Sequence, residues 1–545
     1  MLQSVKFLMV TLTGALSIFL AYRGVIINEF SVLPGDRYDM VIMSAILEHW
    51  RNFWMGESLW HDVGYFYPYE RTIAQTDGYF LIGIIFSFIR IFVDDIFISV
   101  VFTSAFLSVI GFVSLYILTR KTLAFRLETS LLISSVFVLL NSIVSHHQRL
   151  QLLSVFLLPV LTLLLMNYLR AVSERNRGIP TTLSGCLFGL FYGAMTITCF
   201  YVAWFYGFFL MVTAAVAFVF RRKVAIEWVR SCVSLKLSSS IVLLVFVFSL
   251  LPFVWAYYPK SLEVGVRSFS SVSGNLIAPL ELIQVGFDNY LYGGVLRHVF
   301  QFIYPGYAPW GEYYNVGFSP LIFGLFIAAI FYFTPKGNFR ENDAFFLVAI
   351  SVLLCCVLLF KVNGFSLWYL VYTFIPGAKA LNVASIFLMV LALPILVVVG
   401  KYIESQNLPK SFFAVVAAFV ILGELTPSYY NFDRRLENSR IANISSPPSV
   451  CRAFYVSGYD GQMNISEFPE WINSMYAHNV TAILVSQIIK IPTVNGVASF
   501  NPPDWNFSAP WAEDYDRRVL AYAEKHGISG LCKLDLNKKI WVEVE

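Results

Sequence analysis

Charge is what this sequence has least of. Asp, Glu, Lys and Arg make up 13% of its 545 residues, where a soluble globular chain carries about 25%. That shortage excludes an ordinary water-exposed surface over most of the chain. The net charge is only +4, with Lys and Arg in short clusters between apolar runs. This is not the footprint of a nucleic-acid binder, so no nucleic-acid partner is expected. The usual catalytic signatures are absent as well: no Walker loop, no GxGxxG, no GxSxG and no HExxH. None of the seven cysteines falls in a CxxC or Cys/His metal spacing. No string of charges runs through the apolar segments as in a pump or channel, and there is no internal repeat or low-complexity tract.

What fills the chain is apolar surface. Hydrophobic residues make up 58% and aromatics 17%, and the mean hydropathy is +0.68. A helix needs about 20 apolar residues to cross a bilayer. Runs of that kind lie near 7–27, 96–119, 128–145, 150–169, 181–199, 201–220, 238–257, 316–334, 344–361, 384–400 and 411–427. The fold class expected is mostly α: a polytopic helical membrane bundle of about eleven spans over 1–429, with a small C-terminal α/β extramembrane domain over 430–545. The N-terminal run lacks a small-x-small cleavage site before Arg23, so it reads as an uncleaved first span. The run 79–93 is short. If it only dips into the membrane, five basic clusters fall on one side: Arg120/Lys121/Arg126, Arg170/Arg175/Arg177, Arg221/Arg222/Lys223, Lys336/Arg340 and Lys401/Lys410. The positive-inside rule then sets a cytoplasmic N-terminus. The loops 28–78, 146–149, 258–315 and 362–383 and the tail share the other face, as in a bacterial inner-membrane protein with a periplasmic or extracellular domain.

On that face the sequence gathers chemistry. Asp36 and Asp39 follow the first span at i, i+3, so both face one way if a helix begins there. A partly desolvated carboxylate can act as a general base; Asp36 after Pro34-Gly35 can equally be a helix cap. Glu48, His49 and Asp77 share the loop, and Asp77 can cap the short helix or serve as a second acid. His146-His147-Gln148-Arg149 interrupts two apolar runs. Its cationic groups suit a phosphate, or help hold a divalent ion with the carboxylates, against the alternative of a plain interfacial turn. Lys379, after Pro376-Gly377-Ala378, can contact phosphate or lie in a connecting loop. The loop 258–315 holds Lys260, Glu263, Arg267, Glu281, Asp288, Arg297 and His298, then the cluster Tyr304-Pro305-Gly306-Tyr307-Ala308-Pro309-Trp310, which suits a sugar or lipid headgroup or an interfacial belt. In the tail, 452–456, 531–536 and 540–544 read as strands, 511–526 as an amphipathic helix stopped by Gly527, and Asn495-Gly496 as a turn. Five cysteines lie in or beside apolar runs as packing residues. Cys451 and Cys532 flank most of the tail and can form a disulfide in an oxidising compartment.

Taken together, Pro34-Gly35-Asp36-x-x-Asp39, Leu47-Glu48-His49, Phe66-Tyr67-Pro68, Asp77-Gly78, His147-x-x-Leu150-Gln151, Pro376-Gly377-Ala378-Lys379-Ala380, Pro492-Thr493-Val494-Asn495-Gly496 and Cys532-x-Leu534-Asp535 resemble bacterial multi-span proteins related to the GT-C superfamily of membrane glycosyltransferases. An Arg and an Asn of that pattern are Val41 and Met43 here, and an Arg pair is Asn382 and Ile386. The resemblance implies a polyprenyl-phosphate-linked sugar donor within the membrane lipid, a catalytic Asp in the first loop and an envelope glycan, lipid or protein acceptor. Asp36 and Asp39 are then the catalytic candidates. Glu48, His49, Asp77, His146, His147, Gln148, Arg149 and Lys379 are the substrate-binding ones, with a divalent metal ion as a possible cofactor. The alternative is a non-catalytic membrane protein of envelope transport or assembly. The two part on geometry: catalysis needs Asp36 or Asp39 within about 10–12 Å of the 146–149 turn, roughly a sugar plus phosphate.

Overall fold

A computed structural model describes residues 2–174, 179–308, 315–335, 343–427, 430–458, 470–498 and 501–544. Apolar helices dominate it. α1 (Leu2–Ile27), α4 (Ile96–Ile117), α5 (Leu127–Leu139), α7 (Leu158–Ser173), α8 (Ile179–Thr198) and α9 (Phe200–Phe220) form most of the bundle, with Lys236–Val264 and Phe387–Ser405. Eight helical segments among the described residues are long and apolar enough to cross a membrane, so the chain is an integral membrane protein. Three further expected spans are shorter helices: Pro320–Phe333, Asp343–Leu359 and Lys410–Glu424. At about 1.5 Å per residue the shortest covers roughly 21 Å, less than the hydrocarbon core. The 79–93 run forms α3 (Phe80–Ile89), only ten residues long, as expected for a segment that does not cross. The expected span at 128–145 breaks at Leu140, after which α6 (Asn141–Val144) restarts it. The cause is a side chain in the backbone ladder, because the Asn141 N–H donates to Glu424 Oε2 at 2.9 Å.

The first polar loop is not loose. Asp36 caps α2 (Arg37–Trp54) by accepting the Asp39 N–H. Before it, β1 (Val32–Pro34) pairs antiparallel with Tyr430–Asp433. This joins the loop to the start of the C-terminal domain. That domain holds a three-stranded sheet in which Ala453–Ser457 runs parallel to Leu531–Asp535, which runs antiparallel to Ile540–Glu543. All three lie where the sequence places them. The amphipathic helix is Tyr515–Lys525, with Gly527 beyond it at φ +62°. Cys451 and Cys532 form the expected disulfide, Cα to Cα 5.6 Å. Asn495-Gly496 makes no hairpin: Asn495 is buried, with its amide donating to Asn479 Oδ1 and Tyr515 Oη. A long helix, Glu470–Ile489, was not anticipated.

Candidate active site

Two glycines seat the loop against the bundle. Gly35 has φ +98°, and a Cβ there would meet Gln148 Cβ at 2.4 Å. Only glycine allows this backbone to close on the 146–149 turn. Gly78 similarly leaves no room for a Cβ, which would meet the Ile197 carbonyl at 2.4 Å; its own carbonyl accepts the Trp50 indole N–H at 2.6 Å.

The result is an ion pair between Arg149 Nε and Asp39 Oδ2 at 3.3 Å, far inside the separation that catalysis requires. The Asp39 side chain is 37% exposed and that of Arg149 19%. Both line a cavity of about 1240 Å³ at the end of the bundle that carries the C-terminal domain. Gln148, Asp77 and Lys379 line it too. Asp77 accepts the Phe200 N–H at 3.0 Å, so it sits at the start of α9 rather than capping α3. Burial pushes its carboxyl up to about 6, against the lowering effect of that hydrogen bond. Tyr79, between the two acids, donates to Gln151 Oε1 at 2.7 Å. The Lys379 ammonium lies 5.6 Å from the Tyr372 ring centre.

Five of the other predicted residues lie off the cavity wall, each for a visible reason. Asp36 is buried and its carboxylate caps α2. Glu48 is buried between Arg51 and Arg90, at 2.5 and 3.0 Å. His49 is buried with Nε2–H donating to the Trp60 carbonyl, and burial pushes it down to about 4. His146 turns inward and donates from Nδ1 to the Ser142 carbonyl at 2.7 Å. His147 stacks on Tyr22 at 4.6 Å, and burial lowers it to about 3. The turn therefore offers the cavity its Gln148 and Arg149, while both histidines serve packing. Tyr304 and Tyr307 pack with Phe300 rather than lining the cavity; Pro309 and Trp310 lie outside the described residues.

Further residues complete the cavity. Arg267, one of the polar groups that the sequence offered in the 258–315 loop, lines it, its backbone N–H donating to the Lys379 carbonyl at 3.2 Å. Tyr201 and Trp204 of α9 contribute, and the Trp204 indole donates to the Pro376 carbonyl at 2.8 Å. Phe253, Val254, Val264, Val266, Phe374 and Ile375 add apolar lining. Tyr476, Val497 and Ala498 bring the C-terminal domain to the rim. The aromatic residues of α9 sit in an apolar run and read as span, which hid them. The cavity thus combines cationic, polar and apolar lining, which suits a molecule with both an anionic centre and an apolar part. Among the described residues no three His, Cys, Asp or Glu side chains form a group able to hold a metal ion.

No protein-family model matches the chain, and no curated protein sequence matches it. Solved structures do. The Archaeoglobus fulgidus oligosaccharyltransferase in its apo form aligns with a TM-score of 0.50 and 12% identity, over 96% of this chain and 69% of that one. The archaeal oligosaccharyltransferase AglB of the same organism, in complex with an inhibitory peptide and a dolichol-phosphate, aligns at 0.49 and 12% over the same shares. The apo structure's likeness is one of fold and carries the GT-C-like architecture expected above.

Proposed function

We propose that this chain is a membrane glycosyltransferase using a polyprenyl-phosphate-linked sugar. The observation that carries the reading is the Asp39–Arg149 pair at 3.3 Å on the wall of a cavity that also has apolar lining. A carboxylate beside a cation is the minimum for moving a sugar off a phosphate. The prenyl chain would lie along the apolar wall of Phe253, Val254 and Phe374. The phosphate would sit among Arg149, Lys379 and Arg267. The acceptor enters past Tyr476 and Val497.

In the proposed step, a lone pair of the acceptor hydroxyl attacks the anomeric carbon while an Asp39 oxygen takes its proton. The bond from that carbon to the phosphate oxygen breaks, and its electron pair leaves on the polyprenyl phosphate. This single displacement inverts the anomeric centre. Arg149 is bound to Asp39 in this state, so it can turn to the leaving phosphate without being brought in from elsewhere; preset charge of this kind costs little reorganisation. The chain supplies three cations for the phosphate: Arg149, Lys379 and Arg267. Asp36, committed to the cap, is assigned no chemical step.

The test is transfer by purified protein in lipid, read as release of polyprenyl phosphate. A general base contributes about 10²–10⁴ in rate, so Asp39→Asn should lose transfer to that degree while keeping the wild-type unfolding temperature. Full activity of Asp39→Asn would remove Asp39 from the base role. Binding of the donor without turnover by wild-type protein, across acceptor classes, would favour the non-catalytic transport reading.

A further inference from the structure

A second cavity, of about 470 Å³, lies apart from the first, between α2 and α3. Its charged groups are Arg51 and Arg90; Ser87 and the apolar Trp54, Met55, Ile84, Phe88 and Ile91 line the rest. No residue of this pocket lines the larger cavity. Both arginines bind the buried Glu48, Arg51 through Nη1 and Arg90 through Nε. Arg90 Nη1 also donates to the Val93 carbonyl at 2.6 Å. One carboxylate thus offsets one of two fixed charges. The remaining N–H groups, Arg51 Nε and Nη2 and Arg90 Nη2, have no partner among the described residues. Because Glu48 holds both guanidinium groups in place, little side-chain entropy remains to be lost when a ligand binds.

The apolar part has a direction. Ile84, Phe88 and Ile91 recur at i, i+4 and i+7 and are 41%, 60% and 71% exposed, so they form one stripe along α3 and the turn that follows it. From Ile84 to Ile91 the stripe rises about 10 Å, enough to hold part of one acyl chain. Trp54, 52% exposed, stands at the end of α2 beside the arginines, the place an interfacial indole prefers. Arg90 lies at the C-terminal end of this stripe with Arg51 beside it in the same pocket, so cationic groups meet an apolar track, the combination an anionic lipid presents in reverse.

We infer that the α2–α3 pocket is a binding site for an anionic phospholipid, with its phosphate on Arg51 and Arg90 and an acyl chain along Ile84, Phe88 and Ile91. Guanidinium binds phosphate through paired, charge-assisted hydrogen bonds, so the headgroup charge and not the chain gives the preference. The occupant is a bilayer lipid held beside the enzyme, distinct from the donor in the main cavity, and the inference does not depend on the transfer reaction.

The test uses full-length protein in nanodiscs of phosphatidylcholine containing a minor share of brominated lipid, either phosphatidylglycerol or phosphatidylcholine. Bromine quenches a nearby indole, and subtracting the Trp54→Phe signal isolates Trp54. Brominated phosphatidylglycerol should quench Trp54 several-fold more than brominated phosphatidylcholine. Arg51→Gln, which leaves Arg90 to hold Glu48, should bring the two to the same level, and Arg51→Lys should restore part of the difference. Equal quenching by both lipids in the wild type, or a preference unchanged in Arg51→Gln, would overturn the inference. If Arg51→Gln does not fold, competition in the wild type decides: unbrominated phosphatidylglycerol should relieve the quenching and inorganic phosphate should not. Relief by inorganic phosphate would show a plain anion site and overturn the lipid assignment.

Discussion

Gly35 and Asp36 position the site without entering it. Gly35 joins a left-handed backbone to close contact with Gln148, so alanine there meets both strain and a clash. Strain of this kind costs of order 1–3 kcal/mol. Gly35→Ala should lower the unfolding temperature and reduce transfer together, because the Asp39–Arg149 contact depends on that approach. Asp36→Ala removes a helix cap, worth typically about 1 kcal/mol. It should cost stability first and activity only as α2 frays, measured as partial loss in transfer with a lowered melting point. Asp39→Asn should show the reverse split. A result in which Asp36→Ala abolishes transfer at unchanged stability would exchange the roles of the two acids.

At the scale of elements, much was legible. The Pro-Gly-Asp start of α2, the shortness of α3, the three strands of the C-terminal domain and its cysteine pair follow from local residue patterns that the structure keeps. The helix Glu470–Ile489 was not legible, and its residues say why. His478, Asn479, Thr481, Ser486 and Gln487 are all buried, so polar residues occupy core positions and blur the apolar period. Some partners of this helix are distant in sequence: Arg37 donates to Thr481 and to the Ala477 carbonyl, and Asn52 to the Gln487 carbonyl. Pairings across more than 400 residues leave no local signal. The same holds for the site. Asp39, Asp77, Gln148, Arg149 and Lys379 were readable as polar residues where apolar ones were expected. Arg267 stood among seven polar residues of the 258–315 loop with nothing local to single it out, and the apolar wall was not readable, since its role depends on which helices come together. The histidines misled for a related reason: a polar residue between spans can satisfy itself inward, as His146 does on the Ser142 carbonyl.

Across the whole molecule, the first loop, the bundle end and the C-terminal domain act as one packed body. Arg37 pairs with Glu437 at 2.7 Å, the Phe66 and Tyr67 N–H groups donate to the Asn495 and Thr493 carbonyls, and β1 pairs with Tyr430–Asp433. The disulfide closes a sequence separation of 81 within this body. Loop-closure entropy for a loop of that size is worth roughly 4 kcal/mol in the chain-entropy account. Reduction should therefore lower the unfolding temperature of this body, seen by heating the protein in detergent with and without reductant. Acid should act on the body as well. Burial lowers His49 to about 4 and His147 and His478 to about 3, so the unfolded chain takes up protons that the fold refuses. Their contribution is complete above about 6.5 and is lost as pH falls, by about 1.4 kcal/mol per unit for each histidine. Asp77, raised to about 6, acts in the opposite sense between about 6 and 4, one group against three. The unfolding temperature in detergent should drop between pH 6.5 and 5, and His49→Gln should flatten the curve; a level profile would remove the histidines from this role.

The most direct measurement of the central claim is incubation of purified protein with a set of polyprenyl-phosphate sugars, following free polyprenyl phosphate in wild type and Asp39→Asn. The account predicts release by wild type with at least one donor, and its loss by about 10²-fold or more in the variant at unchanged stability. Equal release by both proteins, or donor binding without release by either, would contradict it.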